Sequence, residues 1–466
     1  MTRVVGIRHR RKKTAEGEAR PTTVAILEYG KTVYHDLETE TDELDFLLGR
    51  FPIECKPAGN EDVDWIEMDL NGNVVKGTVR PHQCKFKKVS KEEVASCRAN
   101  HIMDFPDAKG NFVQQRVVKV PSRFDGLSKG DSVAMVLGGS GDRFASALSK
   151  HGEEIGAEVF RIPPFALSDN RGKADKDDDH KTLVVLFLER LTLFEKMMAK
   201  DREVIRVKEA LMLRMDAQRA RISCELRLYQ SLVGRIFLSP EGKYPEGMIE
   251  DQYKKIKASD TILQGLMAEE ERRDKEMRQV VRQTAVWEHI LEPVKGCGER
   301  IAAGLIASIG DVRRFAVPVN YDGAVTSEDR RFRKMKALTK TLSKVKAFCG
   351  FRLRDNVRFP RRRSGEVANW NPNVRQALFQ LTEQFNRHGD GSFWGQKLLW
   401  KKAELRKVHP EPIEVEVEVK GNGKKAKKLI KRYTDGHIHK MACWWTATKF
   451  VEWLAREWLK MEKVYG

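Results

Sequence analysis

Up to about residue 180 the sequence sets short apolar runs between turn signals. Beyond it, apolar residues recur at helical spacing over stretches too long for strands. The chain therefore has to build two kinds of core. Residues 3–7 (RVVGI), 22–28 (TTVAILE) and 31–37 (KTVYHDL) read as strands, the last two divided by the turn at Tyr29-Gly30. TDELDFLLGRF at 41–51 reads as a helix capped by Thr41. SVAMVLGGSG at 132–141 reads as a buried strand closing on a glycine turn, followed by a helix (RFASALSKHGEEI) and a strand (AEVFRI). This alternation predicts an α/β domain over 1–180. Residues 52–125, with the turn DLNGN between two short strands, read as an insertion into it.

From 181 to 236 the spacing predicts helix. Leu191, Met198, Ile205 and Met212 stand seven apart, with Phe187 and Phe194 beside them, as a heptad-like seam. Such a Leu/Met/Phe stripe signals packing rather than a cofactor box. The chain breaks at LSPEGKYPEG and resumes as helix from 247 to 291. Residues 181–292 are thus expected to form a long helical coiled-coil hairpin, or an arm that pairs between subunits. Residues 293–466 read as a mostly α domain. It contains the helical RQALFQLTEQFNRH and HKMACWWTATKFVEWLAREWLKMEK, with a hairpin at 411–434 turning at Gly-Asn-Gly.

Lysine and arginine total 86 against 67 acids, a formal net charge of +19. That points to a polyanionic partner, with DNA or RNA as the default. The bases concentrate in 330–363, which holds fourteen Lys/Arg and one acid, Asp355. A solvated helix face normally mixes signs, so this run reads as a phosphate footprint. Arg330, Arg331, Arg333, Lys334, Arg361, Arg362 and Arg363 are its candidate contacts. Just before it, VKGCGERIAAGLIASIG (294–310) has the G-x-G-x3-A spacing of a helix–hairpin–helix. Gly296 and Gly298 would let backbone N–H groups approach a phosphate, Ala302 would let the second helix pack closely, and Arg300 follows on the helix start. The competing reading is an ordinary helical corner in a core.

No stretch approaches the ~18–20 apolar residues that span a bilayer, and MTRVVGIRHRRKKT lacks a signal-peptide core. A soluble, cytoplasmic protein with no membrane partner is expected. Seven scattered cysteines argue against a disulfide framework. His82, Cys84, Cys97 and His101 read H-x-C…C-x3-H, either a zinc site or isolated thiols and histidines.

The stretch RGKADKDDDHKTL (171–183) gathers Asp175, Asp177, Asp178 and Asp179 in an otherwise basic chain. Asp175 and Asp178 are three apart, so on a helix start they would share a face and hold a divalent cation. Equally, acids at a first turn cap a helix and offset its macrodipole.

Taken together, these pieces resemble the insertion-sequence "one-ten" family of transposases. The resemblance covers most of the chain by motif order. It rests chiefly on VKGCGERIAAGLIASIGDVRRF, then KAFCGF, PRRRSGEVANWNPNVRQALFQLTEQF and GHIHKMACWWTATKFV. It implies a RuvC-like (RNase H-like) first domain, a coiled-coil middle and a C-terminal transposase domain. It also implies magnesium held by four acids. KADKDDD matches the second pair, which assigns metal binding and catalysis to Asp175 and Asp178. The first pair departs from the family: Arg8 stands at its first Asp, and Gly138 at its Glu. An arginine cannot ligate magnesium and would instead pair with Asp175 or Asp178. Glu28 and Asp142 are the nearby carboxylates available as substitutes. The family's nucleophilic serine corresponds to Ser364, in RRRSG.

Three functions follow as alternatives. One is a DNA transposase or recombinase that cuts and rejoins element ends, acting as a homodimer or homotetramer with an element-encoded guide RNA. The second is a catalytically degenerate, transposase-derived DNA- or RNA-binding protein. The third is a junction-type nuclease, which needs the full acidic cluster.

Overall fold

The computed structural model describes the whole chain except residues 1–2, 11–19, 71, 73, 108–109, 243–247, 320–325, 353–359, 361–368, 422–423 and 465–466. It divides into two compact units, Met1–Met197 and Met198–Gly466.

The first unit is a mixed α/β domain. Strands β1 (Val4–Arg8), β2 (Thr22–Glu28) and β3 (Lys31–Leu37) form an antiparallel meander, followed by helix α1 (Glu40–Leu47). Thr39, not Thr41, caps α1, in a reciprocal box with Asp42. Next comes the expected insertion, a sheet of its own. Its strands are β4 (Phe51–Pro57), β7 (Lys85–Lys88), β8 (Ile102–Pro106) and the long β9 (Phe112–Asp125), which pairs with the other three. A short ladder, β5 (Glu67–Met68) with β6 (Val74–Lys76), and helix α2 (Lys91–Ser96) complete the insertion.

The chain then returns to the main sheet as β10 (Ser132–Val136), α3 (Asp142–Ile155), β11 (Glu158–Ile162), α4 (Pro164–Asn170), α5 (Asp179–Glu189) and β12 (Glu195–Lys196). The strand order is β12-β11-β10-β1-β2-β3, with β10 parallel to both β1 and β11. Alternation along β1 puts Val4, Gly6 and Arg8 on one face and Val5 and Ile7 on the other. The first face is covered by α5, whose Leu183, Val184 and Phe187 share a core with Val4, Ala25 and Ala134. Gly6 is needed here: a Cβ would lie 2.1 Å from the His180 carbonyl oxygen, so only glycine lets α5 lie this close to β1.

The second unit is helical. Helix α6 (Ala199–Phe237), 39 residues long, packs against α7 (Ile249–Ser259) and α8 (Thr261–Arg282), the expected hairpin. Arg214 and Arg221 of α6 both bond to Glu270 of α8, at 3.2 and 2.5 Å. Helices α9 (Glu299–Ile309), α10 (Ser327–Phe348), α11 (Pro372–His388), α12 (Phe393–Val408) and α13 (Asp435–Met461) share one core with the base of that hairpin. Between α12 and α13, β13 (Ile413–Gly421) and β14 (Lys424–Arg432) form the expected two-stranded hairpin.

The boundary between the units corrects the expected helix over 181–236. Residues 179–189 are α5, which belongs to the α/β core, and β12 extends its sheet before α6 begins at Ala199. The apparent seam is split accordingly. Phe187 and Phe194 are buried in the first unit, Leu191, Met198 and Met212 are exposed, and Ile205 alone of the four spaced residues is buried. Two apolar sets in different units fell into a common spacing.

Candidate nucleic-acid interface and acidic cluster

The acidic segment lies at the carboxyl end of β1, on the α5 face. Arg8 points from that strand end to Asp177, with Nη2 2.6 Å from Oδ1, and is itself buried. Arg20 pairs with the other Asp177 oxygen. Arg8 thus does ion-pair with the cluster, but through Asp177 rather than Asp175 or Asp178.

Asp175 caps a 3-10 turn over Lys176–Asp178 by accepting the Asp177 N–H at 2.9 Å. Its own backbone is extended, so it does not share a helical face with Asp178. Asp178 is half-buried and pairs with Lys181 at 2.8 Å, a bond that holds its carboxyl below the usual range. Asp179 is buried and bidentate to Arg171, at 2.6 and 2.9 Å, which raises the guanidinium pKa. The capping reading is met in part, by Asp175; the shared-face reading of Asp175 and Asp178 is not, and the other three aspartates are neutralised by arginine and lysine side chains.

The substitute ligands do not converge on this place. Glu28 lies at the opposite end of the sheet, because β2 runs antiparallel and Thr23, not Glu28, sits beside Arg8. Five residues of strand separate them, about 16 Å. Asp142 begins α3 and faces the buried Arg161 at 3.6 Å. Gly138 has φ +86°, a left-handed conformation that disfavours any residue with a Cβ, glutamate included. Ser140, in the same turn, donates to the Arg10 carbonyl at 3.2 Å and lies 3.0 Å from His9 Nδ1. His9 Nε2 is 3.3 Å from Glu43. This chain latches the glycine turn to the end of β1. A magnesium centre needs several carboxylate oxygens free to converge. The donors present do not fit one: Asp177, Asp178 and Asp179 are each bonded to an arginine or lysine, Asp177 to both Arg8 and Arg20.

In the second unit, the hairpin segment is a helical corner. A helical turn ending at Leu291 leads through residues 292–298 into α9. Gly296 has φ +98°, and a Cβ there would meet Gln384 and His388 at 3.1 and 3.0 Å, so this glycine serves packing on α11. Gly298 caps α9, and a Cβ there would meet nothing within 4 Å, so close packing does not require this glycine. Ala302 is fully buried, as expected. Arg300, a candidate DNA contact, is bidentate to Asp274 at 2.6 and 3.0 Å. Glu299 occupies the first turn of α9 and pairs with Arg282, which together with its own N–H keeps its carboxyl low. The helix start thus already holds a carboxylate where a phosphate would sit. The following IGDVRRF has a structural task. Asp311 and Asp201 both bond Arg313, each at 2.6 Å, and tie α9's exit to α6.

The basic run fares differently. On α10, Ala337, Thr341, Leu342 and Val345 face the core, while Arg330, Arg331, Lys334, Lys336, Lys340 and Lys344 are exposed. Arg333 is half-buried, and Lys346 is engaged with Glu452 at 2.7 Å. Arg361, Arg362, Arg363 and Ser364 lie outside the described residues.

His82, Cys84, Cys97 and His101 are not brought together. His82 bonds Asp45 at 2.7 Å, His101 bonds the Glu61 carbonyl at 2.7 Å, and Cys84 points to the Arg80 carbonyl. Among the described residues, one metal-competent group does assemble: Glu383, His439 and Cys443. The sequence reading missed it, although H-x3-C in HKMAC is the spacing that aligns two ligands on one helix face.

No helix among the described residues is long and apolar enough to cross a membrane. No protein-family model matches the chain, and no curated protein matches it.

Proposed function

We propose that this chain is a nucleic-acid-binding protein of the insertion-sequence one-ten transposase type, in which the first unit has given up magnesium-dependent cleavage. One observation carries this reading: the acids at the carboxyl end of β1 are neutralised by Arg8, Arg20, Lys181 and Arg171. The sheet order supports a RuvC-like (RNase H-like) ancestry, since such domains set an antiparallel meander beside parallel strands. The exposed bases of α10 supply the DNA-binding surface. DNA ends of the mobile element are the proposed ligand, with an element-encoded guide RNA and self-association into a homodimer or homotetramer as the accompanying partners.

The test is a binding and nicking assay on the element's own DNA ends with its flanking RNA, with and without magnesium. Wild type is compared with Asp175→Asn, Asp178→Asn and Ser364→Ala. The expected result is tight binding that neither magnesium nor the aspartate substitutions change, and no nicking. Magnesium-dependent nicking lost in Asp178→Asn would overturn the degenerate reading. A covalent protein–DNA adduct lost in Ser364→Ala would restore strand transfer as the activity.

A further inference from the structure

Glu383 stands in the middle of α11, and His439 and Cys443 lie one turn apart near the start of α13. Positions i and i+4 share a helix face, so both α13 side chains present the same way. His439 Nε2 is 2.9 Å from a Glu383 carboxylate oxygen and 3.5 Å from the Cys443 sulfur. That sulfur is 4.0 Å from the same carboxylate oxygen. His439 and Glu383 are half-buried, whereas Cys443 is buried.

We propose that Glu383, His439 and Cys443 form a zinc site that ties α11 to α13. A thiolate, an imidazole and a carboxylate together select a borderline-soft divalent ion, and zinc takes all three. With Zn–N, Zn–O and Zn–S bonds of ordinary length, ligand atoms around a tetrahedral ion stand about 3.3–3.6 Å apart. The imidazole–thiol separation already has that value. The other two separations differ from it by about half an ångström, in opposite directions, so a small rotation of the Glu383 carboxylate corrects both. Three protein ligands leave the fourth position to water, on the side where Glu383 and His439 reach solvent. Binding the ion releases the Cys443 thiol proton to solvent and requires His439 to carry its N–H on Nδ1, so that Nε2 offers its lone pair to the metal.

The neighbouring structure favours a fixed site over a chance cluster. Phe385, two residues after Glu383, packs on Phe450 of α13 with ring centroids 5.7 Å apart. The two ligand-bearing helices are therefore held by apolar contacts independent of any ion, as a preorganised metal site requires.

The test uses the full chain, stripped with a chelator and titrated with cobalt(II), then with zinc in competition. The expected result is stoichiometric uptake with a thiolate-to-cobalt charge-transfer band and the intense visible absorption of tetrahedral cobalt, both erased by zinc. Glu383→Gln, a near-isosteric change at a partly exposed position, should weaken uptake by at least the ~10–100-fold that loss of an outer-shell partner costs. Cys443→Ser should remove the charge-transfer band, and Cys84→Ser should leave it intact. A folded wild type without that band overturns the site, as does a band that survives Cys443→Ser or an affinity unchanged in Glu383→Gln. None of these readouts depends on DNA.

Discussion

Asp131 follows the Gly130 turn that leads into β10, and its side chain is sealed from water. It accepts the Ser128 N–H at 2.8 Å and faces Arg3 at 3.2 Å, while its Oδ1 has no hydrogen-bond partner. Burial pushes its pKa up to about 6, with Asp125 and Glu28 adding to the rise and Ser128 and Arg3 opposing it. The unfolded chain releases this proton near 3.8, so across the interval the native state holds a proton that the unfolded state has lost. Stability is then greatest at the acid end and falls as pH rises through about 6, by about 3 kcal/mol in all. Urea unfolding between about pH 4 and pH 7 should show most of this fall in the wild type and lack it in Asp131→Asn. Equal pH slopes in the two proteins would refute the assignment. Asp125, whose carboxyl is lowered, acts in a separate and more acid window. The residue scale also shows what sequence cannot give. An arginine at the end of the first strand is readable from the sequence, but its partner is not. Asp177 lies 169 positions away and meets Arg8 only because alternation puts Arg8 on the face that α5 covers.

Elements were more legible than their boundaries. Strands 22–28 and 31–37 fall where alternation and the Tyr29-Gly30 turn put them, and β13 and β14 pair in antiparallel register out to Gly421 and Lys424. The helix beginning at 181 failed because a Leu/Phe run that caps a sheet has the same spacing as one that lines a coiled coil. Chain direction changes at Arg190, whose φ of −140° ends α5, and no glycine or proline marks the place. The contact between α5 and β1 yields a sharper test. Gly6→Ala would drive a Cβ against the His180 carbonyl and to 2.8 Å from Val184 Cγ2. Backbone on one side and a buried branched side chain on the other leave α5 no way to yield except by lifting. The expected cost is about 3 kcal/mol, the upper range for overpacking a core. Gly172→Ala is the control: its φ is +63° but nothing lies within 4 Å, so only backbone strain of about 1 kcal/mol is expected. Chemical denaturation of both variants measures the difference. Equal losses would mean that α5 does not depend on the close approach at Gly6.

Across the whole molecule, charge is distributed unevenly. On the α6–α8 hairpin, arginines and glutamates largely cancel one another: Arg272 and Arg273 with Glu269 and Glu276, and Arg221 with Glu225 and Glu270. Residues 330–363, with fourteen bases and one acid, carry thirteen of the chain's nineteen net charges. On the proposed reading, the exposed bases of α10 would bind DNA by releasing condensed counterions, and the salt dependence would count the phosphates engaged. Six exposed bases on α10 predict that log K falls against log salt with a slope of about −5. Lys336 and Lys340 are one turn apart, exposed, and flank the buried Ala337 without entering the core, so their replacement leaves the helix packed. The double variant Lys336→Gln/Lys340→Gln should flatten the slope by about 2 and weaken binding to all sequences alike. Fluorescence anisotropy over a salt series measures both. A slope that the double variant leaves unchanged would move the interface off α10, while a loss confined to one DNA sequence would turn these lysines from phosphate contacts into base readers.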